Sequence, residues 1–464
     1  MKRKFRPHQS ECFRYCREQN HPAVFMQMRL GKTLVVIRRV QMYKPRGRFL
    51  RVLVVAPNSA LGSWEKELKT EGVRFINASG LEPQTKTDAL HCPFWILINK
   101  EAHLQVGRYM RHQHWDAVIL DESTFIKNVR ASRTKLVDGS TKPAGPVQVT
   151  SFFLNNFRSV PHRWIMTGRP NPQSDLELWS QLAFLDGTAF GCRSYWEFRS
   201  RFFKQKRTGH GWKPKTGTQS FIKEYLAERA FVMSRKDAGM DVDKIYTERV
   251  LHLPQQLETA YQTIEREMIL EWDGIEIART MHTLPKFNWL RQMCGGFVDG
   301  KLVWNGKVEE IKYLLETELK DESVVILCNF RHEVREVHRS LLRCTSTRGM
   351  AGDMAAADRR TIVADFQKKR FKVLVSTVDV VKTGENLSVS DTLIYYGPPA
   401  GTEAWLQSQD RILDIAQEGS LFIINLVVAN SVDTDCLEVL KDNDNRGYHM
   451  MRRIYQLMQQ RHAA

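Results

Sequence analysis

The chain is short of acid. Its 464 residues carry 69 Lys and Arg against 52 Asp and Glu, a formal net charge of +17. An excess of this size points to a polyanionic partner, because each phosphate neutralised releases condensed counterion; a generally basic surface is the alternative. Long apolar runs are also missing. None is long enough to span a bilayer, and no apolar stretch near the start reads as a signal peptide. A cytoplasmic protein with no membrane partner is expected. The eight cysteines are scattered without any Cys-x-x-Cys pair, so a thiolate metal site is not expected and reduced buried thiols are. No short repeat and no low-complexity tail occurs, and the length suits two or three ordinary domains.

What is present begins with Phe25-Met26-Gln27-Met28-Arg29-Leu30-Gly31-Lys32-Thr33, followed at once by Leu34-Val35-Val36-Ile37. A glycine lets backbone approach phosphates closely, and free N–H groups with the helix dipole favour negative charge. A lysine there reaches the β/γ-phosphates, and the threonine hydroxyl joins a Mg²⁺ shell. The match is partial, since Met26 stands where the general pattern has its first glycine. Met28, Arg29, Leu30, Gly31, Lys32 and Thr33 are therefore candidate nucleotide contacts, with Lys32 and Thr33 in catalysis. Upstream, Phe5-Arg6-Pro7-His8-Gln9 opens a helix. Gln9 suits reading an adenine edge; a capped helix is the alternative.

Arg51–Ala56, Phe94–Asn99 and Ala117–Leu120 are short apolar runs that read as buried parallel strands. The last of them ends in Asp121-Glu122-Ser123. An acidic pair at the carboxyl end of a buried strand is costly to bury and lies where open α/β sheets bind ligands. With a phosphate loop upstream, Asp121 is expected to hold Mg²⁺ through water and Glu122 to orient the attacking water. An N-cap acid on the next helix is the bland alternative. Residues 139–146 read as a loop, and Trp164–Pro170 as strand then turn. From about 172 to 300 the sequence reads as mostly helical. Within it, basic residues from Arg193 to Lys215 interleave with Trp196, Phe198, Phe202, Phe203 and Trp212. Such a mixture suits a nucleic-acid backbone groove or a helix with its aromatics in the core. Strand-like runs return at Ser323–Phe330, Phe371–Thr377, Thr392–Tyr396 and Leu421–Val428. The fold class expected is α/β: two doubly wound parallel-sheet lobes with helical insertions between them.

The order of these segments resembles a superfamily-two helicase, and more narrowly the Swi/Snf-type branch of DNA-translocating ATPases, over nearly the whole chain. Arg6-Pro7-His8-Gln9 resembles the branch's opening motif, and Met28 to Thr33 its phosphate loop, with Arg29 where glycine is usual. Ala56-Pro57 with Ser63-Trp64-Glu65 is similar to a motif touching the tracked strand. Asp121-Glu122-Ser123 with Lys127-Asn128 resembles the acidic motif and its downstream Lys-Asn. Thr167-Gly168-Arg169-Pro170 and the segment from Asp175 resemble the motif coupling hydrolysis to movement. Leu290–Cys294, Gly306-Lys307, Met350-Ala351-Gly352, Ser376-Thr377, Thr383–Leu387 and Gln407–Arg411 follow in the branch's order. One departure stands out. The last motif normally carries two arginines followed by Gly-Gln, whereas here Arg411 is followed by Asp414 and Ala416-Gln417. A carboxylate at the finger position repels phosphate, and a finger is worth roughly 10³–10⁵ in rate. Arg411 or Lys382 is left to supply the charge, with Arg411 the candidate.

The resemblance implies RecA-like lobes at 1–171 and 305–464 with mainly helical insertions at 172–304. It implies ATP and Mg²⁺ as cofactors, held by Lys32, Thr33 and Asp121 and closed on by Gly384 and Arg411. It also implies sequence-independent grip on DNA, duplex favoured, with Pro57, Lys127, Asn128, Thr167, Gly168, Ser376 and Thr377 binding DNA or coupling hydrolysis to its movement. The expected activity is that of a DNA-dependent ATPase driving translocation. The alternative is a nucleotide-gated DNA clamp with weak turnover that regulates or recruits another DNA enzyme. No nuclease, methyltransferase, zinc or chromatin-reader module is recognisable, a compactness closer to members from bacteria and their viruses; a bacterial or phage-infected cell is expected.

Overall fold

The structure is a computed structural model. It describes residues 3–43, 47–127, 133–135, 141–143, 145–168, 170–171, 174–205, 212–240, 242–267, 269–272, 275–279, 283–381, 386–413 and 420–441. The chain divides into two compact units, Met1–Asp241 and Val242–Ala464.

In the first unit seven strands form one sheet: β1 (Ala23–Met26), β2 (Val52–Ala56), β3 (Phe75–Asn77), β4 (Trp95–Asn99), β5 (Ala117–Asp121), β6 (His162–Thr167) and β7 (Ala230–Met233). Their order is β7-β1-β6-β5-β2-β4-β3, with every pairing parallel. β1 and β2 are apolar throughout because helices cover both faces. Val24, Val54, Ile119 and Trp164 pack with Cys12, Val36 and Trp64 from the helices Pro7–Glu18, Lys32–Val40 and Asn58–Thr70. Their neighbours Phe25, Leu53, Leu120 and Ile165 point to the opposite face, against Met110, Phe153, Leu182 and Phe198. Each such buried side chain contributes about 1.5–3 kcal/mol, enough to exceed the roughly 1–2 kcal/mol of backbone ordering per residue.

The second unit holds a six-stranded sheet: β8 (Lys244–Leu251), β9 (Val324–Cys328), β10 (Thr347–Met350), β11 (Val373–Thr377), β12 (Thr392–Tyr395) and β13 (Leu421–Val428). The order β8-β13-β12-β9-β11-β10 is again parallel throughout. A polar cluster is built into it. Lys307, 1% exposed, donates to Asp433 Oδ2 at 2.5 Å. Nearby Glu333 accepts from the backbone N–H groups of Asn329 (2.8 Å) and Phe330 (3.0 Å). Burial pushes the Glu333 carboxyl up to about 7, against the opposing pull of those N–H donors, Lys307 and Arg291.

The two-lobe α/β architecture is as the sequence leads one to expect. The division is not. Residues 172–304 are expected from the sequence as mainly helical insertions and linker after a first lobe ending at 171. Instead that span gives β7 to the first sheet and β8 to the second, and the units meet between Asp241 and Val242. Both are edge strands. Ala230-Phe231-Val232-Met233 is too short to stand out from the helices before it, and β8 is largely exposed, so its polar residues hide it.

Candidate functional site

The first unit gathers its chemistry at the carboxyl ends of β1, β5 and β6. β1 ends at Met26, the chain turns through Gln27–Gly31, and the helix Lys32–Val40 follows. Arg29 (φ 69°) and Gly31 (φ 76°) both adopt the left-handed conformation. Gly31 has no room for a side chain: an added Cβ would lie 2.1 Å from Gln9 Nε2. Gln9 itself is buried. Its Oε1 accepts from Arg6 N at 3.0 Å, and its Nε2 donates to Leu30 O at 3.3 Å. His8 Nε2 donates to the same carbonyl at 3.0 Å. Gln9 thus braces the loop from outside, with its amide engaged at both ends by backbone. The Lys32 amine, also buried, donates to Met26 O at 2.9 Å, lying across the loop that Met28, Arg29 and Leu30 form. Thr33 occupies the first helical turn.

Asp121, the last residue of β5, is 6% exposed. Trp64 Nε1 donates to its Oδ2 at 2.8 Å, and Glu122 N to its Oδ1 at 2.9 Å. Burial, then the adjoining Glu122 charge, push Asp121 up to about 6, while Lys32 and the two N–H donors pull the other way. Glu122 is left-handed at φ 50° and accepts from Thr167 Oγ1 at 2.8 Å. Gly168 continues that contact: a Cβ there would lie 3.3 Å from Met28 N. Thr167 and Gly168 therefore touch the acidic pair and the loop respectively. Ser123 Oγ donates to Gln181 Oε1 at 2.7 Å, and Lys127 lies 3.4 Å from Glu177 Oε1. Gln181 Nε2 closes the set by donating to Glu177 O at 3.0 Å and Pro170 O at 2.5 Å.

Sequence reasoning missed the roles of Trp64 and Gln181. Trp64 had been placed with Pro57 in a strand-touching motif; Pro57 caps the helix Asn58–Thr70, but the indole is fully buried on Asp121. The spacing of Leu61, Trp64 and Leu68, an apolar stripe on an otherwise polar helix, signals that burial.

In the second unit Ser376 and Thr377 end β11, and Ser376 Oγ donates to Met350 O at 2.9 Å. Arg411 follows the helix Thr402–Asp410, with its carbonyl accepting from Leu387 N at 3.0 Å. Asn128, Arg169, Lys382, Gly384, Asp414, Ala416 and Gln417 lie outside the described residues.

ATP and Mg²⁺ fit the first-unit arrangement. The loop presents a glycine that a Cβ would block, a helix N-terminus and a lysine, all suited to phosphate. Asp121 and the Thr33 hydroxyl offer oxygen donors of the kind a hard cation takes.

Family models decide the kinship. The SNF2-related domain matches residues 8–294, and the helicase conserved C-terminal domain matches residues 306–415. The chain belongs to the SNF2-related family. Its relatives include the putative ATP-dependent helicase/translocase YwqA of Bacillus subtilis, 21% identical over 88% of this chain and 44% of the relative. The ATP-dependent DNA helicase DDM1 of Arabidopsis thaliana is 24% identical over 89% of this chain and 57% of its own length. The chain thus spans about half the length of these two SNF2-type relatives. A putative protein p41 of Acyrthosiphon pisum secondary endosymbiont phage 1 matches end to end, 22% identical over 93% of this chain and 95% of its own. The first SNF2-related match ends at Cys294, inside the second compact unit, so the family's sequence boundary and the compact-unit boundary differ here.

Proposed function

We propose that this protein is a DNA-dependent ATPase that couples nucleotide hydrolysis to movement along DNA, with duplex favoured. The observation carrying the reading is the junction of three motifs in the first unit. The Asp121–Glu122 pair ends β5, Thr167 bonds Glu122, and Gly168 abuts the Lys32 loop. Helicase and translocase relatives and the +17 charge support it.

Bound Mg-ATP would supply the phosphoanhydride and the cation that offsets charge on it. Lys32, now bonded to the Met26 carbonyl, would bind the phosphates together with the loop N–H groups. Thr33 and Asp121 hold the cation. Glu122 aligns the attacking water, and its bond to Thr167 carries a change at that carboxylate to the strand end bearing Thr167 and Gly168. Arg411 is the second-unit candidate that would offset charge on a transferring phosphate. Pro57, Lys127, Asn128, Ser376 and Thr377 belong to the DNA-gripping set, through phosphates rather than bases. The phage relative favours a bacterial or phage-infected cell, and no helix among the described residues is long and apolar enough to cross a membrane.

The test is ATP turnover by the full chain, alone and with duplex or single-stranded DNA, beside Lys32→Ala and Glu122→Gln. Duplex-stimulated turnover lost in both variants is expected. Single-strand preference would replace translocation on duplex by strand separation. Turnover no higher than Lys32→Ala, with DNA binding intact, would leave the second reading, a nucleotide-gated clamp. Asp414 at the finger position favours that reading, and under it Asp414→Arg gains turnover.

A further inference from the structure

Beyond the phosphate loop, the first unit carries an extreme concentration of positive charge. Between Arg193 and Lys215 the sequence holds eight Lys or Arg and a single acid, Glu197. The structure resolves this stretch into a helix, Tyr195–Phe202, running into an antiparallel hairpin, Phe203–Gln205 with Trp212–Pro214. Phe198 and Phe203 anchor it in the core cluster that contains Phe25 and Leu53. The helix after the phosphate loop packs in the cluster on the other face of the sheet. The hairpin and that helix thus cover opposite faces of the sheet.

Part of the charge has local reasons. Arg199 and Arg201 lie in the last helical turn, where the dipole favours cations. Lys215 Nζ donates to the terminal carbonyls of Ser200 (2.7 Å) and Arg201 (3.0 Å). The hairpin lysines are different. The register sets Lys204 directly opposite Lys213, both exposed. Like charges opposed across a strand pair destabilise it. The connecting residues add Lys206 and Arg207 in sequence. An arrangement that costs the free protein stability is offset when an anion sits over it. Beside the lysines, the Arg199 guanidinium lies 4.5 Å from the Trp196 ring and 4.1 Å from the Trp212 ring. Trp196 is 51% exposed, unusual for an indole. Cations tracking a backbone next to an accessible aromatic ring are the two components of strand-binding surfaces.

We infer that the paired strands Phe203–Gln205 and Trp212–Pro214, with Trp196 and Arg199, are an accessory DNA-backbone contact on the sheet face opposite the phosphate-loop helix. It rests on DNA being the partner. Lys204 and Lys213 take phosphate oxygens, and Trp196 stacks on a base where the strand is unpaired.

The test is anisotropy of labelled duplex and single-stranded DNA with the full chain across a range of KCl, for wild type, Lys204→Gln/Lys213→Gln and Trp196→Ala. Loss of two phosphate contacts flattens the plot of log K against log salt by about 1.8 on duplex or about 1.4 on a single strand. Which value appears identifies the form of DNA held there. DNA-free ATP turnover stays at the wild-type level, and the melting temperature of the double variant does not fall, because a like-charge pair has been removed. Trp196→Ala weakens single-strand binding and leaves duplex binding as it was; an equal loss on both removes stacking from the inference. An unchanged slope and affinity in the double variant, with wild type binding normally, overturns the surface while leaving the proposed function standing. Wild type that binds no DNA removes both.

Discussion

Arg29 holds φ at 69° in the turn before the phosphate-loop helix, a conformation that glycine adopts freely and an L side chain at a cost of about 1–2 kcal/mol. Such strain persists where surroundings over-determine it, and it clusters at functional sites. Glu122, at φ 50°, is a second case in the same unit. Substitution by glycine removes the strain but adds unfolded-state freedom worth roughly 0.5–1 kcal/mol. Arg29→Gly is therefore expected to leave stability unchanged or raise it by up to about 1.5 kcal/mol, while Arg29→Ala, keeping the strain without the side chain, lowers it. Urea unfolding of the two variants beside wild type separates backbone from side chain; equal destabilisation would show that the contacts of the arginine outweigh its backbone. None of this strain is legible in the sequence, which shows only that Arg29 stands where glycine is usual. Lys32 and Asp121 were legible because each sits at the junction of an apolar run and a polar group, a local signal. Trp64 on Asp121 and Gln9 on Leu30 depend on elements that meet only after folding.

The helix Arg331–Leu341 begins with a buried acid. Glu333 receives the Asn329 and Phe330 N–H groups on one oxygen, close to the Lys307–Asp433 pair. Its carboxyl, raised from the ordinary 4.5 to about 7, binds a proton in the folded state that the unfolded chain has already released. The contribution of this group is thus most favourable below the unfolded value. It is lost progressively as pH rises from about 4.5 through 7, by up to about 3 kcal/mol. Glu333→Gln keeps an oxygen for both N–H donors and abolishes the titration. Equal stability to wild type near about pH 4 and higher stability at about pH 8 are expected in chemical denaturation. A variant less stable at pH 8 would show that the pull of Lys307 and Arg291 on the charge outweighs its burial. At this scale the sequence was readable where strands are central. β5, β9 and β11 announce themselves as apolar runs, whereas the edges β7 and β8 do not. One face of an edge strand is open, so the composition loses its contrast.

Each unit of the molecule has its own parallel sheet, and the first is complete only with β7. Loop and edge are joined there: Gln27 Oε1 accepts from Arg235 N at 2.8 Å, and Gln27 N donates to Met233 O at 3.0 Å. A fragment covering 1–240 is therefore expected to unfold cooperatively. One ending at 171, the boundary suggested by the motifs, lacks β7 and the helix Leu178–Asp186 that covers one sheet face, and is expected to aggregate or melt without a transition. Circular dichroism and calorimetry of both decide between the two divisions. The same strand sets an order in time. Ala23 pairs with Ala230, which follows it far along the chain. Synthesis proceeds at roughly 5–20 residues per second, and such long-range pairing closes late. The nascent chain therefore exposes the open edge of β1 for many seconds, and the phosphate loop at its end cannot settle until β7 has emerged. Slowed translation ahead of β7 should lengthen that exposure and raise the demand for chaperones.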